Sequence, residues 1–599
     1  MRPAPTPFSG RYTPGDDPDT DAWFTTFVLE NHLDHFAYPR EVATPEQVEF
    51  LVFLNDKERY FPCSEATFRE IMSRAPSPYL SARYQQALDH ILALIDTTIE
   101  EPNEKAYLTT LIKTKYAHET RDEIMIPSRV EKRLLRIFLN RTHIADPFQE
   151  TKLRRNRTAA AFLDSCLFKQ TFQRLEEAEL APARAMNQVR TRLDHVAVKR
   201  LLNMLTAPTI WAEKGPSMES EEALQALFHK TVTGDAAEAF FSFLGIPGSG
   251  ENTSETHRRT LLWLANESGE VMIDLAIIRY LVSLGHKVIV SFKAGPLFSK
   301  AEIIGTQEDP ALIQALEGSF FIRNDTLTKN QLVEILRQES NLLILSDGTH
   351  EKLNLLLTST TFARLFKEVD CVVARGAEQK NRLFDTPFHF TQDIFSLCAD
   401  EAGVTIDFKP KSSKAIKFSH KDLERKAQTI ISEMRDAKNN GMAVSFYSGI
   451  IGSIPGKIDI AKKLMTVFIA HLEEQFSQTH IINPSLYYEP GMDADDLMFM
   501  WEIVQRSGYI DIWRFQTYQD IVTTFQLMGE KVPPEWVGKD ATYSTGCTKE
   551  MKIAMEVQQR HPEMQIIGPA TEKFMRRRDY GIGKMYDQRL GNDLHTAHD

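Results

Sequence analysis

The chain has 599 residues with 42% hydrophobic and 25% charged content, ordinary values for a globular protein too long for one core. A net charge of -12 excludes non-specific nucleic-acid binding as a role of the whole chain. No apolar run of membrane-spanning length occurs and the N-terminus has no signal core. The five cysteines (Cys63, Cys166, Cys371, Cys398, Cys547) include no CxxC pair, which fits a reducing cytoplasm and excludes a zinc ribbon or a disulfide framework.

Residues 1–22, rich in Pro and Asp, read as a flexible lead. Residues 23–240 read as an all-helical domain. Tyr84–Ile95, Val130–Leu139 and Ala159–Leu175 each repeat apolar residues at helical spacing. From about Leu261 the texture becomes α/β, predicting a Rossmann-like three-layer domain over 241–415. Its strands are Leu261–Leu264, Val288–Phe292, Leu342–Leu345 and Cys371–Ala374, each ending in a polar or glycine-bearing turn. Asp407–Ser419 reads as a basic, serine-bearing connector.

A further α/β domain follows over 416–590. Its predicted strands are Met442–Tyr447, Thr479–Pro484, Ile510–Trp513 and Met564–Gly568, with helices at Ile458–Phe476, Asp495–Arg506 and Thr548–Gln558. Residues 591–599 read as a disordered tail.

The first βα turn, Asn266-Glu267-Ser268-Gly269-Glu270, with Asp274 beyond it, carries most of the chemistry. Ligands of open parallel sheets bind at the carboxyl ends of strands, where this turn falls. Carboxylates and an amide there suit a hard metal ion and a phosphate, and the spaced glycines of a dinucleotide site are missing. The plain structural alternative is a helix start with Ser268 as cap and dipole-favoured carboxylates. Lys293, Lys300 and Arg375 are candidate phosphate cations. Arg375 follows a buried strand and precedes a glycine, which aims it at the ligand edge. Asp347, in Ser346-Asp347-Gly348, is a ligand, a base or a turn residue.

Gly449–Lys457 joins a strand to a helix, and Gly452, Gly456 and Lys457 would cradle a phosphate there, although neither Walker nor GxGxxG spacing is present. A tight turn is the alternative. The acidic run Glu489–Asp496 and Cys547 in Ser544–Thr548 both read more readily as helix caps than as a magnesium site or a nucleophile. Arg576-Arg577-Arg578 reads as a solvated face or an anion clamp.

Asp146-Pro147-Phe148, Lys152 and Asn156, followed by Ser268-Gly269-Glu270 with Asp274, Ala294-Gly295-Pro296, and Arg375-Gly376 before Asn381, resemble the damage-control phosphatase family in order and spacing over about residues 70–410. The family's human-type branch is called acidic-residue-methyltransferase-like. The resemblance implies a helical domain packed on an α/β domain. It also implies a Mg²⁺- or Mn²⁺-dependent hydrolase of small phosphorylated metabolites. The family's metal is held by an Asp-Asn pair in the first turn and by an Asp in a later turn. Asn266 and Glu267 stand at the pair, and Lys300 falls where the second Asp belongs. The implied roles are Asn266 and Glu267 on the metal, Lys300 and Arg375 on phosphate, and Asp274 or Asp347 orienting water.

An ammonium has no lone pair to give a metal. Lys300 would instead occupy the cation's place, paired with Glu267 or a ligand phosphate. The alternatives are therefore a non-catalytic binder of a phosphorylated ligand, and a group-transfer enzyme using the C-terminal glycine-rich loop.

Overall fold

The computed structural model describes residues 12–55, 57–175, 185–212, 220–248, 258–454 and 457–575. They divide into two units, Met1–Asp325 with Gln338–Ser412, and Thr326–Arg337 with Ser413–Asp599. Among the described residues no helix is long and apolar enough to cross a membrane.

The first unit begins with helices. Pro18–Glu30 opens inside the segment expected as a flexible lead, because Asp17 caps it and Pro18 starts it, with Tyr12 stacked on Phe24. Pro78–Thr98 and Pro127–Thr142 pack on one another, burying Tyr84, Leu88, Ile91 and Ile95 of the first and Val130, Leu134 and Phe138 of the second. The signature helix Gln149–Asp164 and the helix Met186–Met204 lie against Glu270–Ser283 of the α/β layer.

The unit's strands are β1 (Val52–Phe53), β2 (Val232–Thr233), β3 (Thr260–Leu264), β4 (Lys287–Phe292), β5 (Phe320–Ile322), β6 (Leu342–Ser346), β7 (Cys371–Arg375), β8 (His389–Phe390), β9 (Ile394–Ala399) and β10 (Val404–Lys409). β1 and β8 form a separate antiparallel ladder. The other eight form one sheet in the order β2-β10-β9-β7-β3-β4-β6-β5, parallel throughout except for β9 against β10. β3, β4, β6 and β7 are its buried centre, as expected of apolar runs covered on both faces. The expected connector at Asp407–Ser419 starts later than predicted, because Asp407–Lys409 completes β10 in register with Ser396–Ile394.

The second unit holds β11 (Ala443–Ser448), β12 (Thr479–Ile482), β13 (Ile512–Phe515) and β14 (Gln565–Ile567), all parallel in the order β12-β11-β13-β14. Helices His420–Asn439, Ala494–Gln505 and Thr545–Arg560 enclose a core around Phe446, Trp501 and Trp513. Helix Lys329–Arg337, which by sequence connects β5 to β6, belongs to this unit. Its Val333 joins that core and its Lys329 meets Asp496 at 2.5 Å, both side chains being buried.

Candidate functional site

β3 ends at Leu264, and the chain turns through Asn266 and Glu267 before Gly269 starts the helix. Gly269 has φ +82, and a Cβ there would lie 2.6 Å from Trp211, so only glycine makes this turn. Asn156 of the signature helix accepts the Gly269 N–H at 2.5 Å and donates to Asp309 at 2.7 Å. Ser268 does not cap the helix; its hydroxyl donates to Ser299 O at 2.9 Å, and the N-cap is Gly269. The turn is thereby stapled to residues 299–301, and Ala301 N donates to Asn266 O.

That staple brings Lys300 to the strand end. Its Nζ lies 2.7 Å from Asn266 Oδ1, 2.9 Å from Glu267 Oε1 and 3.3 Å from Glu378 Oε2. Burial pushes the Lys300 pKa down, but Glu378 and Glu267 outweigh it and hold it above the usual lysine range. Burial likewise raises Glu378, and Lys300 with Lys352, Lys293 and Arg382 more than reverses this, leaving its carboxyl below the ordinary value. Lys300 is therefore an ammonium between two carboxylates. The residues present do not fit the divalent cation assigned to Asn266 and Glu267. The amide oxygen points at an ammonium, and among the described residues no group of three His, Cys, Asp or Glu side chains is arranged to hold a metal.

Arg375 takes a different role from the ligand-facing cation expected. It is fully buried and spends its guanidinium inside the protein. Nε donates to Asp274 at 2.7 Å, Nη1 to Leu397 O at 2.6 Å and Nη2 to Glu270 at 2.5 Å. Glu270 in turn accepts from Asn266 Nδ2 at 2.8 Å. Arg375 thus fixes Asn266, whose oxygen then faces Lys300. Gly376 permits the approach: its φ is +79 and a Cβ there would sit 2.7 Å from Asn266 Nδ2.

Asp274 cannot orient a substrate water, because none of its surface is exposed. Burial pushes its carboxyl up to about 6 against the opposing pull of Arg375, while Glu270 adds to the rise. The Trp263 indole lowers it slightly, but Asp274 Oδ2 and Trp263 Nε1 close no hydrogen bond of ordinary geometry. Asp347 is also committed: Lys293 donates to it at 2.6 Å and Thr349 at 2.9 Å. It is a buried turn residue, and Lys293 is its partner rather than a free phosphate cation. The signature residues Asp146 and Lys152 join Glu302 in a third buried cluster, with Lys152 Nζ 2.9 Å from Asp146 and 3.0 Å from Glu302.

Glu378 also lines a cavity of about 500 Å³ whose polar walls include Arg69, Arg83, Glu131, Lys352 and Arg382. Lys352 pairs with Glu131 at 2.8 Å, and Arg382 donates to Pro62 O and Ser128 Oγ. Arg83 lies over the Tyr79 ring at 5.1 Å. Cys63 is at the wall, but burial pushes its thiol up to about 12, so it is no thiolate nucleophile. Sequence reasoning missed these cavity residues. The signal for Glu378 was available, since it falls in the Arg375–Asn381 stretch that carried the resemblance.

In the second unit the glycine-rich loop is an apolar latch. Ile450 and Ile454 are buried with Ile521, Phe525 and Trp536, and Ile450 N donates to Gln516. A Cβ at Gly452 would meet open space, so no close approach requires that glycine. Lys457 pairs with Glu535 at 2.8 Å, and Gly456 lies outside the described residues, as do Arg576-Arg577-Arg578 and residues 591–599. The acidic turn is a cap, Asp493 accepting from Asp496 N. Cys547 N donates to the capping Ser544 hydroxyl and its thiol to Gly449 O.

A profile of the damage-control phosphatase ARMT1-like domain matches residues 79–399. The crystal structure of a DUF89 family protein from Pyrococcus horikoshii aligns with a TM-score of 0.39 and 14% identity, over 54% of this chain and 96% of that one. No curated protein matches the chain.

Proposed function

Because the chain belongs to the damage-control phosphatase ARMT1-like family, we propose that its first unit binds a small phosphorylated metabolite without hydrolysing it by a metal-dependent route. The observation that carries this reading is Lys300 Nζ within 2.7–3.3 Å of one amide and two carboxylate oxygens, where the resemblance calls for a metal. Asn266 and Glu267 are therefore neighbours of an internal cation, not metal ligands.

The ligand's place is the cavity that Glu378 shares with this cluster. Its volume of about 500 Å³ suits a small metabolite. Arg83, Lys352 and Arg382 supply the charge that would meet a phosphate. Of these, Arg83 is exposed and lies over the Tyr79 ring at 5.1 Å, and a guanidinium can form charge-assisted bonds to phosphate. The acidic side chains on the wall, Glu131 and Glu378, suit the hydroxyls or amines of such a ligand. A fixed ammonium holds negative charge but generates no bound hydroxide, so the hydrolytic nucleophile is not supplied by this cluster.

The five cysteines form no disulfide, which fits a cytoplasmic setting. The group-transfer reading loses its support, since the C-terminal loop is filled by its own isoleucines.

The test is a panel of sugar phosphates and inorganic phosphate in a chelator-containing buffer. Thermal stabilisation that weakens on Arg83→Ala, with no phosphate release with or without added Mn²⁺, supports binding. Metal-stimulated turnover refutes it.

A further inference from the structure

The cluster at the end of β3 has the shape of a cation cage whose cation is covalently attached. Three oxygens from two chain segments, the first turn and the helix Gly376–Leu383, converge on one point: Asn266 Oδ1 at 2.7 Å, Glu267 Oε1 at 2.9 Å and Glu378 Oε2 at 3.3 Å. An ammonium has three N–H groups, and each oxygen can take one. Two of the three acceptors are oriented from behind. Asn266 is held by Glu270, itself held by Arg375. Glu267 accepts from the Ser299 hydroxyl at 2.6 Å. Lys300 forms an isolated antiparallel bridge with Glu267, so its backbone is tied to the cage it fills.

We propose that Lys300 is the permanent cation of this site, closing it to divalent metals, and that Glu378 is the third acceptor of the cage. The inference concerns the cation and does not need the phosphate reading above. It makes the domain's charge balance independent of metal supply. Mg²⁺ and Mn²⁺ bind oxygens at much shorter range than these N···O contacts. A metal would therefore have to displace the side chain, break three charge-assisted bonds and leave a buried ammonium beside it. Remove the ammonium, and the same oxygens become an acidic cage with no counter-ion.

The experiment is direct metal binding, read by equilibrium dialysis and by loss of the free Mn²⁺ resonance signal, in the full-length protein without any phosphate ligand. The wild type is expected to bind no Mn²⁺ above background at millimolar metal. Lys300→Asp and Lys300→Met are expected to gain about one equivalent, as a carboxylate- and amide-based site should. Adding Glu378→Gln to either variant should weaken that site at least about tenfold, the loss expected when one ligand of a small set goes.

Stoichiometric Mn²⁺ binding by the wild type that is lost on Glu267→Gln overturns the proposal, and so does a folded Lys300→Met protein that takes up no metal. Should both Lys300 variants fail to fold, the wild-type measurement still decides it. Lys300→Arg, which keeps the charge, then serves as the folded control and should stay metal-free. Sugar-phosphate stabilisation in chelator is a separate readout, so failure of the ligand reading and failure of this one are distinguishable.

Discussion

Arg375→Met tests whether the Arg375 network is structural. The change deletes a guanidinium with no exposed surface and strands Asp274, also unexposed, and Glu270. Removing one partner of a buried ion pair costs about 3–5 kcal/mol, and Leu397 O loses its donor as well. The sharper signature is in pH. Asp274 already sits near 6 against an unfolded value of 3.8, because burial outweighs Arg375. A carboxyl whose folded pKa is raised keeps its proton in the folded state while the unfolded chain loses it. Stability therefore falls as pH rises from about 4 to about 6 and is flat above. Without Arg375 the folded pKa climbs further, so the variant should keep losing about 1.4 kcal/mol per pH unit between pH 6 and 8. Hydrogen exchange of peptides covering β3 and β7 reads this locally. Arg375→Met with Asp274→Asn should abolish the extra slope. A single variant that loses under about 1 kcal/mol and is flat above pH 6 would refute the network and return Arg375 to the role of a ligand-facing cation.

Three other outcomes are expected. Gly269→Ala should destabilise the first unit by about 2–4 kcal/mol in denaturant titration, through positive φ and the clash with Trp211; wild-type stability would contradict the turn geometry. Lys329→Met removes the ammonium from the buried Asp496 carboxylate and should cost the second unit about 3–5 kcal/mol, seen as faster exchange in β11 and β13; replacing Asp496 by Leu as well should recover part of the loss. Glu550, which accepts from Gln505 at 3.1 Å, is pushed up to about 7 by burial, with Ser448, Gln505 and Cys547 opposing. The second unit should therefore lose up to about 3 kcal/mol as pH rises from 4.5 to 7 and then level off, and Glu550→Gln should flatten that profile.

The strands legible in the sequence are those buried on both faces. β3, β4, β6 and β7 are unbroken apolar runs, a pattern that a solvated strand cannot imitate. β10 was masked by its half-exposed face: Val404 and Ile406 are buried while Thr405, Asp407 and Lys409 are partly exposed and Phe408 is exposed. Its polar end, DFKPKSS, therefore reads as linker chemistry until β9 supplies the pairing. Helix Lys329–Arg337 was illegible for a different reason. Its sequence position assigns it to the crossover between β5 and β6, but its buried Lys329 pairs with the carboxylate of Asp496, far along the chain.

The site's location was readable and its chemistry only half so, and the difference lies in which contacts are local. The turn at Asn266–Glu270 and the residue at Lys300 stand at motif spacing, so their convergence at a strand end follows from βαβ topology. Whether a buried arginine faces the ligand or the core depends on what lies behind it. For Arg375 that is Asp274 on a neighbouring helix and a carbonyl of β9, neither of which spacing can orient. The same holds for the ammonium. From sequence, Lys300 faces one carboxylate, and a single exposed Lys–Glu pair is worth about 0–1 kcal/mol, weak enough for a metal to displace. Glu378 makes it two carboxylates and an amide in a largely buried cage. In that setting the exchange of ammonium for metal must break several charge-assisted bonds at once. It is the third oxygen, delivered by the helix after β7, that turns a damaged metal site into one with its cation built in.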